Sequence, residues 1–385
     1  MNKIFANLQT SIFEEMSTLA RQHQAINLGQ GFPDDPGPED VRRKAAEAII
    51  SGWNQYPPML GIPELRAAVA RHYAVHQGLT IDAGTEVMIT SGATEAIAGA
   101  LMALLNPGDE VVLFEPAYDA YLPLVLRAGG VPRFVKLAPP DWRFTAAQLT
   151  AAITPRTRVV LLNNPQNPSG AVYGAAELQL LADAMAGTEA IIVADEVWEH
   201  VIFDERAHIS VLAIPELRAR AVKIGSAGKI FCLTGWKVGF VVAAPPLLKL
   251  LAKAHQFITF TTPPNLQVAV AYGLDKPAEH FAAMRDELQR KRDHLAKGLR
   301  AAGLSVLPTE GTYFLNVDLA PLGLTDDAAF CRRLVAEAGV AAIPVSAFYA
   351  DASMRSVVRF CFAKLDTTLD AAVERLAQSA SKLTR

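Results

Sequence analysis

The sequence has 385 residues, with 36 Lys and Arg against 39 Asp and Glu, for a formal net charge of -3. A chain of this length exceeds one compact core, and a hydrophobic content of 51% is enough for two. The nearly balanced charge gives no electrostatic reason to expect nucleic acid or a membrane surface as a partner, so a small-molecule substrate is expected.

Cysteine and histidine usage predicts no metal site. Cys232, Cys331 and Cys361 are scattered without a CxxC spacing and indicate neither a disulfide framework nor zinc. Histidine spacing is equally uninformative, and we interpret Glu199 and His200 as a surface or supporting pair. The start, MNKIFANLQTSIFEEM, lacks the apolar core of a signal peptide, and no later run resembles a transmembrane helix. We expect a cytoplasmic protein.

From Glu86 onward, short apolar strands alternate with amphipathic helices. The predicted strands are EVMIT (86–90), EVVLFEP (110–116), VPRFVKL (131–137), RVVLLNN (158–164), AIIVADE (190–196), AVKIGSA (221–227) and VGFVVAA (238–244). Helices are predicted in TEAIAGALMALL, near Tyr121 to Arg127, and from Ala175 to Ala186. Strands rich in Val, Ile and Leu that are separated by helices indicate a mostly parallel sheet covered on both faces.

Beyond Pro264 the pattern changes to a helical stretch from Asn265 to about Ala301, which we expect to link two domains. After it come YFLNVDL (313–319), a helix near Asp326 to Ala338, VAAIPV (340–345), VVRFCFA (357–363) and a terminal helix. The N-terminal segment, with GQGFPDDPGP at 29–38, cannot fold alone and is expected to pack beside this second unit. We therefore predict a large α/β domain over 41–280 and a smaller α+β domain from 1–40 and 281–385.

The carboxyl ends of strands in an open parallel sheet are where ligands collect. EVMIT runs into Ser91-Gly92-Ala93-Thr94 and then directly into a predicted helix. Free backbone N–H groups at that helix N-terminus can bind an anion. Simple N-capping by Ser91 or Thr94 accounts for the same residues, so the sequence leaves both interpretations open.

Two further strand ends carry polar side chains. Asn167 lies between two prolines in the turn at 165–170, where it either aims its amide inward or only completes a tight turn. Asp195 and Glu196 end a largely apolar strand. A buried carboxylate there requires a cation or a donor, which a ligand, a helix cap or a structural ion pair can supply.

Lys229 lies in the most informative stretch of the sequence. Ser226 and Gly228 clear space beside its amine, and Lys237 follows after a Thr-Gly-Trp turn. A lysine with such clearance is suited to form an imine with a bulky aldehyde, whereas a surface lysine would not need it. Arg359 stands among apolar neighbours in VVRFCFA, and its planar fork suits the carboxylate of a ligand or of an acidic side chain.

Together these segments resemble the fold-type I pyridoxal-phosphate aminotransferases, in the branch that contains kynurenine aminotransferases and bacterial methionine aminotransferases. The resemblance runs nearly end to end. It is carried by SIFEEMSTLARQHQAINLGQGFPD, NQYPPMLGIPELR, NNPQNPSG, ADEVWEH, SAGKIFCLTGWKVG and VRFCFAK. It implies a mostly parallel seven-stranded sheet in the large domain, pyridoxal 5'-phosphate as the cofactor, and a homodimer with shared active sites.

The resemblance also implies residue roles. Lys229 corresponds to the Schiff-base lysine, and Asp195 corresponds to the partner of the pyridine nitrogen. Arg359 corresponds to the residue that binds the substrate α-carboxylate, assisted by Gly31 and Asn167. Further cofactor contacts are implied for Ala93, Thr94, Tyr118, Asn167, Ser226 and Lys237, and for Tyr56 toward the phosphate of the neighbouring subunit.

Trp198 departs from the family pattern, because most relatives have a tyrosine there that donates to the cofactor's phenolate oxygen. An indole N–H donates at a different reach, so Asn167 would carry that contact alone and the Schiff base would have a raised pKa.

Phe13 replaces the tryptophan of kynurenine-active relatives. With Tyr56 and Phe260 it suggests an apolar-aromatic pocket, so we expect neutral donors, methionine first and aromatic amino acids next, with glutamine and kynurenine left open.

Three other functions are less favoured by the sequence. A cysteine-S-conjugate C-S β-lyase would use the same lysine but expel a β-substituent, and would form pyruvate and ammonia without a 2-oxo acid. A cofactor-sensing regulatory module would need a basic DNA-binding domain ahead of this fold, for which the sequence has no room. A nicotinamide enzyme is disfavoured because no GxGxxG motif follows a strand.

Overall fold

A computed structural model describes residues 1–6, 8 and 10–383. The N-terminal elements are α1 (Lys3–Ala6), α2 (Ile12–Gln22), β1 (Ile26–Asn27), α3 (Glu39–Ser51) and α4 (Pro63–Gln77). Strand β1 pairs in parallel with 340–341, so the N-terminal segment packs against the C-terminal part of the chain, as the sequence predicts. This packing carries Phe13 and Gly31 to the site described below.

The centre of the molecule is a seven-stranded sheet. Its strands are β2 (Val87–Thr90), β3 (Glu110–Glu115), β4 (Val131–Lys136), β5 (Thr157–Asn163), β6 (Ile191–Asp195), β7 (Ala221–Ser226) and β8 (Gly239–Ala243). Their order is β2-β8-β7-β6-β5-β3-β4, and β8 runs antiparallel to both of its neighbours while the other pairs are parallel. The predicted mostly parallel, seven-stranded α/β sheet is therefore confirmed.

Helices lie between these strands and after the last of them. They are α5 (Gly92–Leu104), α6 (Tyr121–Arg127), α7 (Ala146–Ala152), α8 (Ala175–Ala184), α9 (Pro215–Arg218), α10 (Ala227–Ile230), α11 (Pro245–Ile258) and α12 (Pro264–Leu274). Two buried apolar clusters flank the sheet, because successive strand residues such as Val159 and Val160 face opposite sides and pack into different clusters. Burial on both faces explains why the strands are continuous apolar runs.

The C-terminal part is a smaller α+β arrangement. It contains α13 (Ala278–Ala301), β9 (Ser305–Val306), β10 (Phe314–Asp318), α14 (Asp327–Arg333), β11 (Val340–Ala341), β12 (Ile343–Pro344), β13 (Val357–Cys361) and α15 (Asp366–Leu383). Strands β12, β13, β10 and β9 form an antiparallel sheet, and β11 pairs with β1. The domain limits at 1–40, 41–280 and 281–385 stay a prediction.

The predicted helix over Asn265 to Ala301 is wrong as a single element. Two helices, α12 and α13, meet at a break that contains Pro277. Proline lacks the N–H that helix continuation needs and disfavours helical geometry in the residue before it, which accounts for the break. Within the described residues, no helix combines the length and the apolar character that crossing a membrane requires.

Candidate active site

A cavity of about 350 Å³ opens at the carboxyl ends of the central strands. Elements of the central sheet supply one wall, and the N-terminal segment with β10 and β13 supplies the other. The structure brings most of the predicted site residues together there, namely Phe13, Gly31, Ala93, Thr94, Tyr118, Asn167, Asp195, Trp198, Ser226, Lys229, Lys237 and Arg359.

Asp195 lies buried at the end of β6. The Tyr121 hydroxyl donates to its Oδ2 at 2.6 Å, and the Val197 N–H donates to its Oδ1 at 3.3 Å. Burial raises the pKa of the Asp195 carboxyl, and the hydrogen bond from Tyr121 opposes that rise. Among the described residues no cation lies within ion-pair distance of this carboxylate, which therefore suits a cationic group of a ligand.

Arg359 lies on β13 at the other wall and is 1% exposed. Its Nη1 donates to Asn167 Oδ1 at 2.8 Å and its Nη2 donates to the Gly29 carbonyl at 3.0 Å. The Nε has no acceptor in the described part of the chain. Burial lowers the pKa of this guanidinium to about 10. A buried guanidinium whose protein partners are both neutral suits a ligand carboxylate.

Asn167 is held so that its amide orientation is fixed. Its N–H donates to Asn163 Oδ1 at 2.7 Å, and its Oδ1 accepts from Arg359. Because Oδ1 is engaged, Nδ2 is the group left to donate into the cavity. Asn316, on the strand beside Arg359, further holds this turn by donating to the carbonyls of Pro168 and Ser169.

Lys229 lies on the one-turn helix α10, which begins where β7 ends. Its Nζ stands 4.5 Å from the centre of the Trp198 ring, and its backbone carbonyl accepts from the Tyr313 hydroxyl at 3.0 Å. Burial lowers the pKa of the Lys229 amine to about 8. Roughly a tenth of this amine is thus neutral at pH 7, far more than for an ordinary lysine, and the neutral form is the one that acts as a nucleophile or base.

At the N-terminus of α5, the Glu95 carboxylate accepts a hydrogen bond from the Ser91 N–H at 3.0 Å, but the N-cap side chain itself does not cap the helix. Ser91 occupies the N-cap position, but it makes no side-chain cap hydrogen bond, and its hydroxyl contacts Thr262 Oγ1 at 3.2 Å instead. The alternative of simple N-capping by Ser91 therefore finds no support. Gly92, Ala93 and Thr94 present their backbone to the cavity, beside Lys237.

Two glycines let the chain form this cradle. Gly92 has a φ of +79°, and a Cβ there would lie 3.2 Å from Lys237 Cε. A Cβ on Gly239 would lie 2.7 Å from the Gly92 carbonyl carbon and 2.9 Å from the Ala93 nitrogen. Only a residue without Cβ allows β8 to approach the start of α5 so closely.

Aromatic rings surround Arg359 and form the apolar part of the cavity. The guanidinium carbon lies 3.8 Å from the ring centre of Phe314 and 5.3 Å from that of Phe13. A Cβ on Gly31 would meet Phe314 Cζ at 2.6 Å, so Gly31 leaves the space that the ring fills.

Tyr56 and Phe260 do not line the cavity of the single chain. They contact each other edge to face, with ring centres 5.6 Å apart, and are 81% and 39% exposed. The single chain therefore does not place Phe260 in its own cavity, and its role in substrate binding stays a prediction. Its side chain is on the surface, in a residue with a φ of +65°.

Sequence reasoning missed several cavity residues, including Tyr121, Asn163 and Asp119. Tyr121 and Asp119 follow strand β3, and Asn163 ends β5, so the strand-end rule that pointed to Asp195 could have found them. Gln30, Phe32 and Phe314 also line the cavity, but no comparable signal distinguishes them.

Glu199 is buried, so its interpretation as a surface residue is wrong. Together with Glu196 and His208 it forms a group whose ligand atoms are close enough to hold a metal ion. The positive charge that balances these carboxylates comes instead from Lys223, whose Nζ lies 2.5 Å from Glu196 Oε2 and 2.6 Å from Glu199 Oε2. The Tyr73 hydroxyl also donates to Glu199, and the whole cluster is an internal ion network.

Pyridoxal phosphate fits the cavity by its chemistry. Asp195 offers a buried carboxylate for a pyridinium, and the α5 N-terminus, which the Ser91 side chain does not cap, offers donors for a phosphate beside the charge of Lys237. Lys229 offers an amine of lowered pKa for an aldehyde, and Arg359 is left for a substrate carboxylate.

Comparisons with known proteins agree with this chemistry. The family model for aminotransferase class I and II matches residues 23–376. Methionine aminotransferase of Escherichia coli (strain K12) is 45% identical over 371 residues, which cover 96% of each chain. The kynurenine–oxoglutarate transaminase of Dictyostelium discoideum is 36% identical over 405 residues, covering 95% of this chain and 93% of the relative.

Solved structures give the same result. The structure of YbdL from Escherichia coli, described as having a methionine aminotransferase function, superposes with a TM-score of 0.95 at 44% identity and covers 98% of this chain and 99% of that one. N-succinyldiaminopimelate aminotransferase from Mycobacterium tuberculosis superposes with a TM-score of 0.94 at 42% identity, with the same coverage.

The close approach at Gly239 gives a testable prediction. In Gly239→Ala the new Cβ meets backbone atoms of Gly92 and Ala93, which cannot yield as a flexible side chain can. We expect the affinity for pyridoxal phosphate, measured by equilibrium titration of its absorbance, to fall roughly 10-fold to 100-fold, in line with overpacking costs of about 1–3 kcal/mol.

Gly235→Ala is the matched control, because a Cβ at Gly235 meets nothing within 4 Å. It should bind the cofactor like the wild type. Equal affinities for the wild type and Gly239→Ala would show that the approach of β8 does not shape the cradle.

Proposed function

The chain belongs to the class I and II aminotransferase family, and from this membership we propose that its amino donor is a neutral L-amino acid, methionine first. The protein is a pyridoxal-phosphate-dependent amino-acid aminotransferase. The observation that carries the donor proposal is the buried Arg359, whose guanidinium has no carboxylate partner among the described residues while aromatic rings surround it. An α-carboxylate and an apolar side chain satisfy both features.

The charges of the cavity also favour a neutral donor side chain. Within the described single chain, the cations that line the cavity are Lys229, Lys237 and Arg359. We assign these to the cofactor aldehyde, its phosphate and the substrate α-carboxylate. A distal carboxylate, such as a succinylated donor would carry, finds no fourth cation there. The relative named methionine aminotransferase supports methionine as the first donor to test.

The mechanism uses few residues, and we propose their roles from their positions. When bound, pyridoxal phosphate acts as the electron sink for the Cα bond that breaks. Asp195, by remaining ionised, would keep the pyridine nitrogen protonated, and the Tyr121 hydroxyl supports that ionisation by its hydrogen bond. Asn167 Nδ2 would donate to the cofactor's phenolate oxygen.

Lys229 and Arg359 would act on the substrate. Arg359 binds the α-carboxylate through its fork and thereby fixes the orientation of the Cα–H bond. The Lys229 Nζ, as a free amine, would accept the proton from Cα and hold it for the return transfer. Its pKa of about 8 suits both transfers, because an amine that titrates near the working pH can accept a proton and give it up.

The donor proposal is tested by a half-reaction screen. The holoenzyme is mixed with one L-amino acid at a time, and the absorbance change to the aminated cofactor is followed. We expect methionine to react with the highest kcat/KM, followed by aromatic amino acids, and aspartate to be slower by at least about 100-fold, since an unpaired buried charge costs several kcal/mol. Preferred conversion of aspartate would contradict the proposal. Release of pyruvate and ammonia from a β-substituted donor would instead indicate a β-lyase.

Trp198 gives a spectroscopic prediction. A tyrosine hydroxyl at 198 adds a donor to the phenolate oxygen, so Trp198→Tyr should lower the pH midpoint of the absorbance change of the bound cofactor. Trp198→Phe, which adds no donor, is the control and should not lower it. An unchanged or raised midpoint in Trp198→Tyr would refute the assignment of Asn167 as the lone donor.

A homodimer is the second part of the proposal. Large apolar side chains are exposed in two segments that meet where Tyr56 contacts Phe260, with Trp53 82% and Phe257 85% exposed. Monomeric proteins rarely expose such patches, which mark subunit contacts. We propose that a second copy covers this surface and that Tyr56 there reaches the neighbouring cavity.

Sedimentation equilibrium tests the dimer. Phe257→Glu should raise the dimer dissociation constant by at least about 10-fold, because the new carboxylate would be buried in the contact. Val75→Glu is the control, since Val75 is 72% exposed on α4 outside the two segments. A monomeric wild type at micromolar concentration would contradict the proposal.

A further inference from the structure

Asp119 is a cavity residue that the proposed mechanism leaves without a task. It lies between β3 and α6, one residue after Tyr118, and its side chain is exposed at the mouth of the cavity. In the described part of the chain, no side chain donates a hydrogen bond to Asp119 and no cation pairs with it within 4 Å. Its charge nevertheless acts on the substrate wall, because it favours the charged form of Arg359.

The other carboxylate of the cavity, Asp195, is assigned to the cofactor. Asp195 accepts hydrogen bonds from Tyr121 and Val197 and lies on the cofactor side. Asp119 is thus the carboxylate that the side chain of a bound amino donor can approach. No other described carboxylate lines this cavity.

Once ligands bind, the cations of the cavity no longer neutralise the charge of Asp119. In the proposed function, Lys237 faces the phosphate and Arg359 faces the α-carboxylate, so each is neutralised by its ligand. An acidic donor side chain would then add a negative charge near Asp119 without a cation to balance it. Two like charges about 7 Å apart at a partly screened site repel strongly enough to change affinity by an order of magnitude.

We propose that Asp119 determines the charge selectivity of this active site, so that its carboxylate disfavours ligands with an acidic side chain and favours those with a neutral one. The inference rests on the proposed function for the position of the α-carboxylate at Arg359. It adds to that function a residue that acts on specificity by repulsion rather than by contact.

A matched pair of non-reacting probes tests this proposal. Glutarate and pentanoate have the same chain length and differ by the terminal carboxylate. Their affinities for the holoenzyme are measured by calorimetry for the wild type, Asp119→Asn and Asp141→Asn. Asp141 is an exposed acid outside the cavity, so its variant removes the same charge elsewhere.

We expect the ratio of the glutarate affinity to the pentanoate affinity to rise about 10-fold in Asp119→Asn and to change less than about twofold in Asp141→Asn. For the wild type the ratio should also rise toward the variant's value in about 1 M salt, because salt screens a repulsion between exposed charges. A structural role of Asp119 would not give this salt dependence.

An unchanged ratio in Asp119→Asn, or an equal change in Asp141→Asn, would overturn the proposal. The probes need no turnover, so the result does not depend on which amino acid is the donor. If methionine is inert in the half-reaction screen while the probe ratio shifts as expected, the donor proposal fails and the selectivity of Asp119 stands.

Discussion

Asp195 and Arg359 are opposite charges that the fold buries at two walls of one cavity without giving either a charged partner among the described residues. Burying an uncompensated ion costs several kcal/mol, so a protein retains such groups where a ligand completes them. Burial raises the pKa of the Asp195 carboxyl and lowers the pKa of the Arg359 guanidinium. The arrangement suits a ligand that carries a cation at one end and an anion at the other, with Lys229 beside it.

The fold sets this arrangement by bringing distant parts of the chain together. Asp195 ends β6 and Lys229 follows the adjacent strand β7, whereas Arg359 comes from the C-terminal sheet and reaches Asn167 across the cavity. The N-terminal segment closes the wall because β1 pairs with β11. Any relative movement of the two sheets would therefore change the Arg359 to Asn167 contact, which links substrate binding to the cofactor side.

Much of the site could be predicted from the sequence, because polar residues after buried strands, such as Asp195 and Asn167, stand out against apolar runs. The fold class followed from the same alternation. Tyr121 could not be identified as a site residue from the sequence, because a tyrosine at the start of a helix is common in a core. Its hydrogen bond to Asp195 depends on tertiary packing. The burial of Glu199, which excludes the surface alternative, could not be predicted because its partner Lys223 is distant in sequence. The position of Phe260 outside the single-chain cavity could not be predicted, because residue type does not show which face a loop presents.

The central claim is that the amine of Lys229 holds the aldehyde of pyridoxal phosphate. It is tested most directly by reducing the cofactor-loaded protein with borohydride and locating the modified residue by peptide mass spectrometry. The account predicts one adduct on Lys229 that disappears in Lys229→Ala. An adduct on another lysine, such as the buried Lys223 on the preceding strand β7, or no adduct on the loaded wild type, would contradict it.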